Sequence, residues 1–328
     1  MGRQAVLSLL RQQEGFVSGE EISRRLGLSR TAIWKAVDAL RRDGYTVEAR
    51  TGLGYRLLAA PDAVTEPEIR HFLGETDRVG RTLVCLEEVD STNLHAKQLA
   101  AEGAADGAVV VADRQTAGRG RLGRSFQSPG GRGIYLTALL RPDLPPERLS
   151  PVTAMAGVAV CRAVERHCNV SPGLKWPNDP VLDGKKLCGI LTEMSAQIDY
   201  INYVVVGTGI NVNQTEVPEA LKEIATSLRI ETGHPVKRAE VICAVMKAFA
   251  RNYQVFMETG DLSGLQDAYN EILANRDRQV RVLDPKAPFE GVALGINERG
   301  ELLVRQENGT VSEVYAGEVS VRGLYSYV

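Results

Sequence analysis

The sequence predicts an α+β chain of more than one domain: a winged helix-turn-helix over residues 1–60, a central α/β domain over 61–274 and a small β domain over 275–328. Three observations carry this. Helix-spaced apolar residues with capping signals, then a glycine-rich alternating stretch, fill the first 58 residues. Strand-like and helix-like runs alternate from about 82 to 274, the pattern of a sheet flanked by helices. From 279 onward there are only short strands and turns.

In the first part, Val6, Leu9 and Leu10 make one side of a helix that Gly15 stops. Ser18-Gly-Glu-Glu21 reads as a capping box, Ser18 capping and Glu21 reaching back, so a second short helix runs to about Leu26. Gly27 permits the left-handed turn that follows. Ser29 caps a third helix with Ile33, Val37 and Leu40 on one face and Arg30, Thr31, Lys35, Asp38 and Arg41 on the other. After Gly44, alternation in 46–49 and 55–57 around Thr51-Gly-Leu-Gly54 describes a hairpin. Pro61 and Pro67 bracket a linker-like stretch, which places a domain boundary near residue 60.

The middle reads as a strand at 82–88, a helix at 93–102, strands at 108–112 and 133–140, a helix at 151–167, strands at 186–194 and 203–207, and helices at 238–258 and 262–274. The end reads as strands at 279–283, 289–296, 302–305 and 311–315, with an Asn308-Gly309 hairpin turn before the last. Its length and pattern suit a small barrel or meander.

With 44% hydrophobic and 24% charged residues, the 328-residue chain is not disordered throughout. Its net charge of −2 argues at first against a polyanion partner, but the charge is uneven. Residues 1–58 hold ten Arg and Lys against six carboxylates, a net of +4, which leaves −6 for the remainder. A short helix, a glycine turn and a helix offering Ser29, Arg30 and Thr31 match the helix-turn-helix, and the hairpin with Arg50 and Arg56 fits a wing. The alternative is a three-helix corner for protein contacts; the +4 favours double-stranded DNA. Arg24, Arg25, Arg41 and Arg42 would then meet phosphates, and Arg30, Thr31, Trp34 or Lys35 the base edges. Trp34 reads equally well as core.

The opening MGRQAVLSLLRQQEG carries charges where a secretory signal needs apolar residues. The longest uncharged apolar run, 149–161, falls short of the roughly 20 residues a bilayer requires. A cytoplasmic protein without membrane contact is expected. Five scattered cysteines with no C-x-x-C pair exclude a disulfide scaffold, and His167 beside Cys168 lies on a helix-patterned run rather than in a metal site.

Three stretches carry chemistry. Gly118-x-Gly120-x-x-Gly123 follows a strand and formally satisfies the dinucleotide fingerprint, but Ser125-Phe-Gln-Ser-Pro129-Gly-Gly131 cannot continue as the helix that fingerprint needs. What remains is a flexible loop with Arg119, Arg121 and Arg124 between glycines, suited either to an anion or to plain solvation. Leu174-Lys175-Trp-Pro-Asn178-Asp179, followed by Lys185 and Lys186, offers cations; Asn178 and Asp179 are oxygen ligands of the kind Mg²⁺ prefers, or turn residues. In 204–213, Gly207 and Gly209 would let a ligand approach the backbone, and Asn211 can bond a base or sugar. The stretch 214–227 reads as a mobile loop.

Ser91-Thr92-Asn93, Gln115-x-x-Gly118-Arg119-Gly120-Arg121, Ser128-Pro129, Lys175-Trp-Pro-Asn178-Asp179, Lys186-Leu-x-Gly189, Gly207-x-Gly-Ile-Asn211 and Gly317-Glu-Val-Ser-Val-Arg322, in this order over nearly the whole chain, resemble the biotin protein ligases. With the winged head in front, the layout is similar to the bifunctional type that also represses transcription. The resemblance implies a central domain like those of class II aminoacyl-tRNA synthetases and lipoate ligases, and an SH3-like barrel at the end. It implies that biotin and ATP form biotinyl-5′-adenylate with Mg²⁺, and that the biotinyl group passes to a lysine of a biotin carboxyl carrier protein.

By the same resemblance, Ser91, Thr92, Asn93, Gln115, Gly118, Arg119 and Lys186 would hold biotin. Arg119, Arg121, Lys175, Asn178, Asp179, Asn211 and Arg322 would hold ATP, Arg119, Arg121 and Lys186 acting in catalysis and Asp179 touching the metal. Operator DNA would meet Ser29, Arg30, Thr31, Trp34, Lys35 and Arg50, and a symmetric operator requires a dimer, expected when biotinyl-adenylate is bound. The 114–131 and 213–227 loops would close over the adenylate. Leu122 departs from the family, where a basic residue is common, and Phe126 stands where tryptophan is usual. Two other readings share the phosphate-side residues: a lipoate-type ligase, and a ligand-sensing repressor without catalysis.

Overall fold

Val6, Leu9, Leu10, Ile22, Ile33, Val37 and Leu40 are all buried together, which is why the first 60 residues fold around their own core. The computed structural model describes residues 2–76, 78–284, 287–316 and 320–323, without the side chains of Leu122, Ser320 and Arg322. The chain divides into two units, Met1–Ala63 and Val64–Val328. The first holds α1 (Gly2–Arg11), α2 (Gly19–Leu26), α3 (Arg30–Arg42) and an antiparallel hairpin of β1 (Thr46–Arg50) and β2 (Gly54–Ala59). Ser18 Oγ accepts from Glu21 N at 3.1 Å, and Ser29 Oγ from Ala32 N at 3.2 Å. Gly27 takes φ 64° and Gly54 φ 105°; a Cβ on Gly54 would lie 2.0 Å from the Val17 carbonyl oxygen. The capping box is only half made. Glu21 turns to Arg24 and Arg25 instead of reaching back, because guanidiniums are stronger partners for a carboxylate than one backbone N–H.

The second unit opens with α4 (Glu66–Leu73), whose first two residues fall in the stretch 61–67 expected as linker. Pro67 stands in the first turn of that helix, where its missing N–H costs nothing. Then follow β3 (Leu83–Val89), α5 (Thr92–Ala101), β4 (Ala108–Gln115), β5 (Gly133–Leu140), α6 (Val152–Cys168), β6 (Gly173–Lys175), β7 (Asp179–Leu182), β8 (Lys185–Lys186), β9 (Cys188–Ala196), β10 (Ile201–Asn211), α7 (Leu228–Thr232), α8 (Arg238–Thr259) and α9 (Gln266–Ile272). The main sheet runs β3-β4-β5-β10-β9, with β3 and β4 parallel across the α5 crossover and the other pairs antiparallel. The single strand expected at 186–194 is two: β8 joins β6 and β7 in a small sheet, and β9 forms the edge of the main one. The stretch 214–227 carries a 3-10 turn at Glu219–Leu221 and bonds to β8, Lys186 N donating to Ile224 O and Thr226 N to Lys186 O.

Every residue of β5 is buried, because Ala96 and Ala100 of α5 cover one face of the sheet while α6 and α8 cover the other. The last elements, β11 (Gln279–Leu283), β12 (Phe289–Ile296), β13 (Leu302–Arg305), β14 (Val311–Val314) and β15 (Ser320–Gly323), make an antiparallel sheet ordered β14-β13-β12-β11-β15. Its Val280, Val282, Ala293, Leu302 and Val304 join the core that contains α6 and α8. Buried Trp176 ties the two regions, its Nε1 donating to Gly300 O at 3.0 Å.

No helix among the described residues is long and apolar enough to cross a membrane. Cys161, Cys188 and Cys243 are buried, and Cys85 and Cys168 half-buried. Burial pushes the thiols up, to about 12 for Cys85 and Cys243 and to about 11 for Cys168. Since the thiolate is the reactive form, a disulfide reagent at pH 8 will label the folded protein far more slowly than a free cysteine, and denaturant will release all five. A thiol that reacts in the native state as fast as free cysteine contradicts this.

Candidate functional site

Within the second unit, chain segments far apart in sequence line one cleft. The N-terminus of α5 contributes Ser91, Thr92 and Asn93, and the end of β4 with the loop beyond it contributes Gln115, Arg119, Arg121, Arg124 and Phe126. The turn between β6 and β7 brings Lys175, Trp176, Asn178 and Asp179, and β8 brings Lys186. Gly189, Gly207 and Gly209 of β9 and β10 also border it, as does Val321 of β15.

The polar end is buried and tightly bonded. Ser91, Thr92 and Asn93 are 2–4% exposed, and Ser91 stands at the N-cap of α5 without using its side chain to cap it. Thr92 N donates to Gln115 Oε1 at 2.9 Å, and Gln115 Nε2 donates to Ser128 Oγ at 2.9 Å. Asn93 Nδ2 donates to Glu193 Oε2 at 2.8 Å, and Thr137 Oγ1 donates to Asn93 Oδ1 at 2.7 Å. Thr137, Glu193 and Lys97, which bonds Glu193, are absent from the sequence reading. A threonine in the middle of Gly133-Ile-Tyr-Leu-Thr-Ala-Leu-Leu140, wholly buried, was the available signal, because a buried hydroxyl needs a partner.

The other end is cationic. Arg119, Arg121, Arg124, Lys175 and Lys186 face a single carboxylate, Asp179, among the described lining residues. Lys186 Nζ lies 2.7 Å from Asp179 Oδ1. Arg121 is half-buried and donates to Ala316 O at 2.7 Å and to Asn178 Oδ1 at 3.3 Å. Burial lowers its pKa, with Asp179 opposing that shift, and an arginine remains a cation all the same. Burial would raise Glu193, but its bonds to Lys97 and Asn93, with Arg119 nearby, hold it below the usual carboxylate range.

Several expectations are corrected by this geometry. Gly207 and Gly209 do border the cleft, but the direction a side chain would take from each is filled by protein: a Cβ there would lie 2.1 Å from Asn93 Oδ1 and 2.6 Å from the Phe126 ring. Gly118 does not line the cleft; it borders an adjoining groove, and a Cβ would lie 2.4 Å from the Phe126 carbonyl oxygen. The loop expected to be flexible folds back on itself, Phe126 N donating to Gly118 O and Gly120 N to Arg124 O. Asn211 is not brought to the cleft; its amide donates to Thr226 O at 3.0 Å. Asn178 Oδ1 faces Arg121 and its Nδ2 donates to Ile190 O, so it is not free as a metal ligand. No group of three His, Cys, Asp or Glu among the described residues is placed to hold a metal. The Arg322 position lies on β15 opposite Arg281, but its side chain falls outside the described residues.

In the first unit, Ser29, Arg30, Thr31, Trp34 and Lys35 are exposed along α3, and Trp34 is 56% exposed, so it is not core. The cations expected at phosphates are engaged within the unit. Arg24 and Arg25 pair with Glu21, Arg42 with Asp38, and Arg41 donates to Val47 O. Arg50 and Arg56 share Glu48 and lie over the Phe16 ring, at 5.1 and 4.9 Å. Arg30 and Lys35 are the cations of this unit without a partner among the described residues.

Residues 3–56 match the model of an HTH domain, 85–211 that of the biotin/lipoate A/B protein ligase family and 277–322 that of the biotin protein ligase C-terminal domain. The chain is 39% identical over 308 residues to the bifunctional ligase/repressor BirA of Bacillus subtilis, covering 93% of this chain and 94% of that one. It is 28% identical over 317 residues to the BirA of Escherichia coli, covering 97% and 96%. Among solved structures, the biotin protein ligase from Aquifex aeolicus in complex with biotin and ATP matches with a TM-score of 0.65 and 34% identity, over 74% of this chain and 99% of that one.

The packing of Asn93 into the space above Gly207 makes that glycine a sensitive point. Gly207→Ala is expected to lose about 1–3 kcal/mol in urea unfolding, because Asn93 is held by three other groups and cannot retreat freely. An alanine variant as stable as the parent would show that Asn93 is not fixed there.

Proposed function

The chain belongs to the biotin protein ligase family in its bifunctional ligase/repressor form, and from that premise we propose that it makes biotinyl-5′-adenylate from biotin and ATP and biotinylates a lysine of a biotin carboxyl carrier protein. The observation that carries this is a buried hydrogen-bonding pocket joined, among the described residues, to a cluster of five cations around Asp179. Biotin has a ureido ring that needs hydrogen bonds in a dry place and a carboxylate that must reach an α-phosphate. Two such anions repel by about 1–4 kcal/mol at 4 Å, depending on the local dielectric.

Ser91, Thr92, Asn93 and Gln115 orient the ureido end. Arg119, Arg121 and Lys186 offset the charge of the approaching carboxylate and phosphates, and the nucleotide is assigned to Lys175, Asn178, Asp179 and, by the family resemblance, Arg322. The carboxylate oxygen bonds to the α-phosphorus as the bond to pyrophosphate breaks. In the second step the carrier lysine, as a free amine, attacks the acyl carbon and AMP leaves. No enzyme nucleophile is needed. Gly118 shapes the loop rather than touching substrate, and Asn211 anchors the 214–227 segment that would cover the nucleotide.

A single carboxylate among the described lining residues fits a Mg²⁺ ion that arrives on the phosphates of ATP, since this ion is commonly held by one or two carboxylates plus substrate oxygens. Asp179 would touch it, and the ion would supply further charge neutralisation. Function then divides among domains at 1–60, 61–274 and 275–328, in a cytoplasmic protein. The first binds operator DNA as part of a dimer formed when biotinyl-adenylate is present, through Ser29, Arg30, Thr31, Trp34 and Lys35, with Arg50 on the wing.

Purified protein given Mg-ATP, apo carrier domain and either biotin or lipoate should release pyrophosphate and label the carrier with biotin alone. Labelling with lipoate would favour the lipoate-type reading, and binding of biotin without pyrophosphate the non-catalytic sensor. Arg119→Ala and Lys186→Ala should each lower the adenylation rate by about 10²–10³. For the head, biotin with ATP should tighten binding to a palindromic site, and Arg30→Ala should weaken it by about 1–3 kcal/mol. Equal affinity with and without biotin and ATP would defeat the coupling, because a ligand acts only through different affinities for two states.

A further inference from the structure

We infer that the exposed face of α3 reads guanine and thymine, Arg30 taking the acceptor edge of guanine and Trp34 the methyl group of thymine. This rests on the operator-DNA reading above and names the bases that such a duplex must present. The opposite face of α3, with Ile33, Ala36, Val37 and Leu40, is buried in the core of the head, so only the first face is open to a ligand. Arg30 opens the helix and Trp34 stands one turn further on, on the same side. In a helix-turn-helix, the N-terminal residues of the second helix are the ones that meet base edges.

The chemistry of that face is one-sided. Arg30 and Lys35 only donate, and the indole of Trp34 has one N–H and no acceptor. No Asn, Gln or Glu occurs between residues 29 and 42. Asp38, the single carboxylate of the helix, lies in its third turn and takes a hydrogen bond from Arg42 Nη2 at 2.8 Å. Ser29 Oγ serves the cap, where it accepts from Ala32 N at 3.2 Å. The Thr31 hydroxyl remains, and a hydroxyl bonds a donor or an acceptor alike, so it discriminates nothing. In the major groove the amino groups of cytosine and adenine call for acceptors, which this face lacks beyond that hydroxyl. Guanine offers O6 and N7 to a donor, and thymine offers O4 and the one methyl group on the groove floor. Trp34 is 56% exposed, and among the described residues neither a ring nor a cation stacks on it. A large apolar ring standing in water between two cations gains most where apolar surface awaits it, and in a groove of polar edges that surface is the thymine methyl.

Single-atom changes in DNA test this without touching the fold of the protein. The full chain, with biotin and ATP, selects its site from random duplexes, and bases of that site are then altered one at a time. Deoxyuridine in place of thymidine removes only the methyl group, and at one or more positions in each half-site it should weaken binding by the parent about fourfold. The same exchange should leave Trp34→Ala within about twofold of its own affinity, because the contact is already gone from the protein side. 7-Deazaguanine removes N7 and should weaken the parent about tenfold while leaving Arg30→Ala within about twofold. A selected site that tolerates uracil at every thymine, or 7-deazaguanine at every guanine, overturns the inference alone. So do losses as large in the two alanine variants as in the parent. Selection of no sequence at all overturns the operator reading and this inference with it.

Discussion

The cleft depends on β10 being bare at Gly207 and Gly209. A side chain at either place would strike Asn93 or the Phe126 ring. Because both are glycine, the N-terminus of α5 settles onto the sheet at Gly207 and the arginine loop folds down next to it, on the same face, at Gly209. The close approach has a chemical result. Asn93 comes within reach of Thr137 below and Glu193 beside it, so the sheet becomes part of the polar pocket rather than a neutral floor. Phe126, edge-on to Tyr135 at 6.4 Å, keeps the neighbouring surface apolar.

The cations present a second constraint. Five in one cleft repel one another, and the fold must hold them there before any anion arrives. Lys186 leans on Asp179, and Arg121 gives its protons to Asn178 and to the carbonyl of Ala316. The two neutral oxygens that Arg121 bonds are partners that a phosphate can outcompete, since a carbonyl is a weaker acceptor than an anionic oxygen. The contact with Ala316 also gives the last sheet a share in the site, and Trp176 holds that sheet close from within the core.

Much of this was legible from residue order. Repeating patterns fixed the long elements to within a few residues, and 133–140 was read without error because a fully buried strand is one apolar run with few competing interpretations. Short strands such as β6 and β8 were not readable, since at three and two residues they are too short to show a repeating pattern. Pro67 was misread because proline marks a helix start and a linker equally well. In the site, the residue types that carry charge could be picked out, but not how they are used. Gly207 and Gly209 are free of side chains for the sake of Asn93 and Phe126, a fact of tertiary packing that no local spacing encodes. Glu193 escaped for a related reason: it matters through what it bonds, and its own neighbours in sequence say nothing of that, whereas Thr137 left a signal as a threonine inside an apolar strand.

The head teaches the same lesson about charge. Its +4 pointed to DNA, yet most of its basic side chains are engaged inside the unit, by Glu21, Asp38, Glu48 or the Val47 carbonyl. Exposed pairs of this kind contribute little to stability, about 0–1 kcal/mol, so a phosphate could draw any one of them away at small cost. What distinguishes Arg30 and Lys35 is that they need not be drawn away. They stand on the exposed face of α3 beside Trp34, already unengaged among the described residues, and the composition that suggested DNA is concentrated in these two. Net charge therefore measures the capacity of this unit to hold a polyanion, while the pattern of ion pairs selects the face on which it can do so.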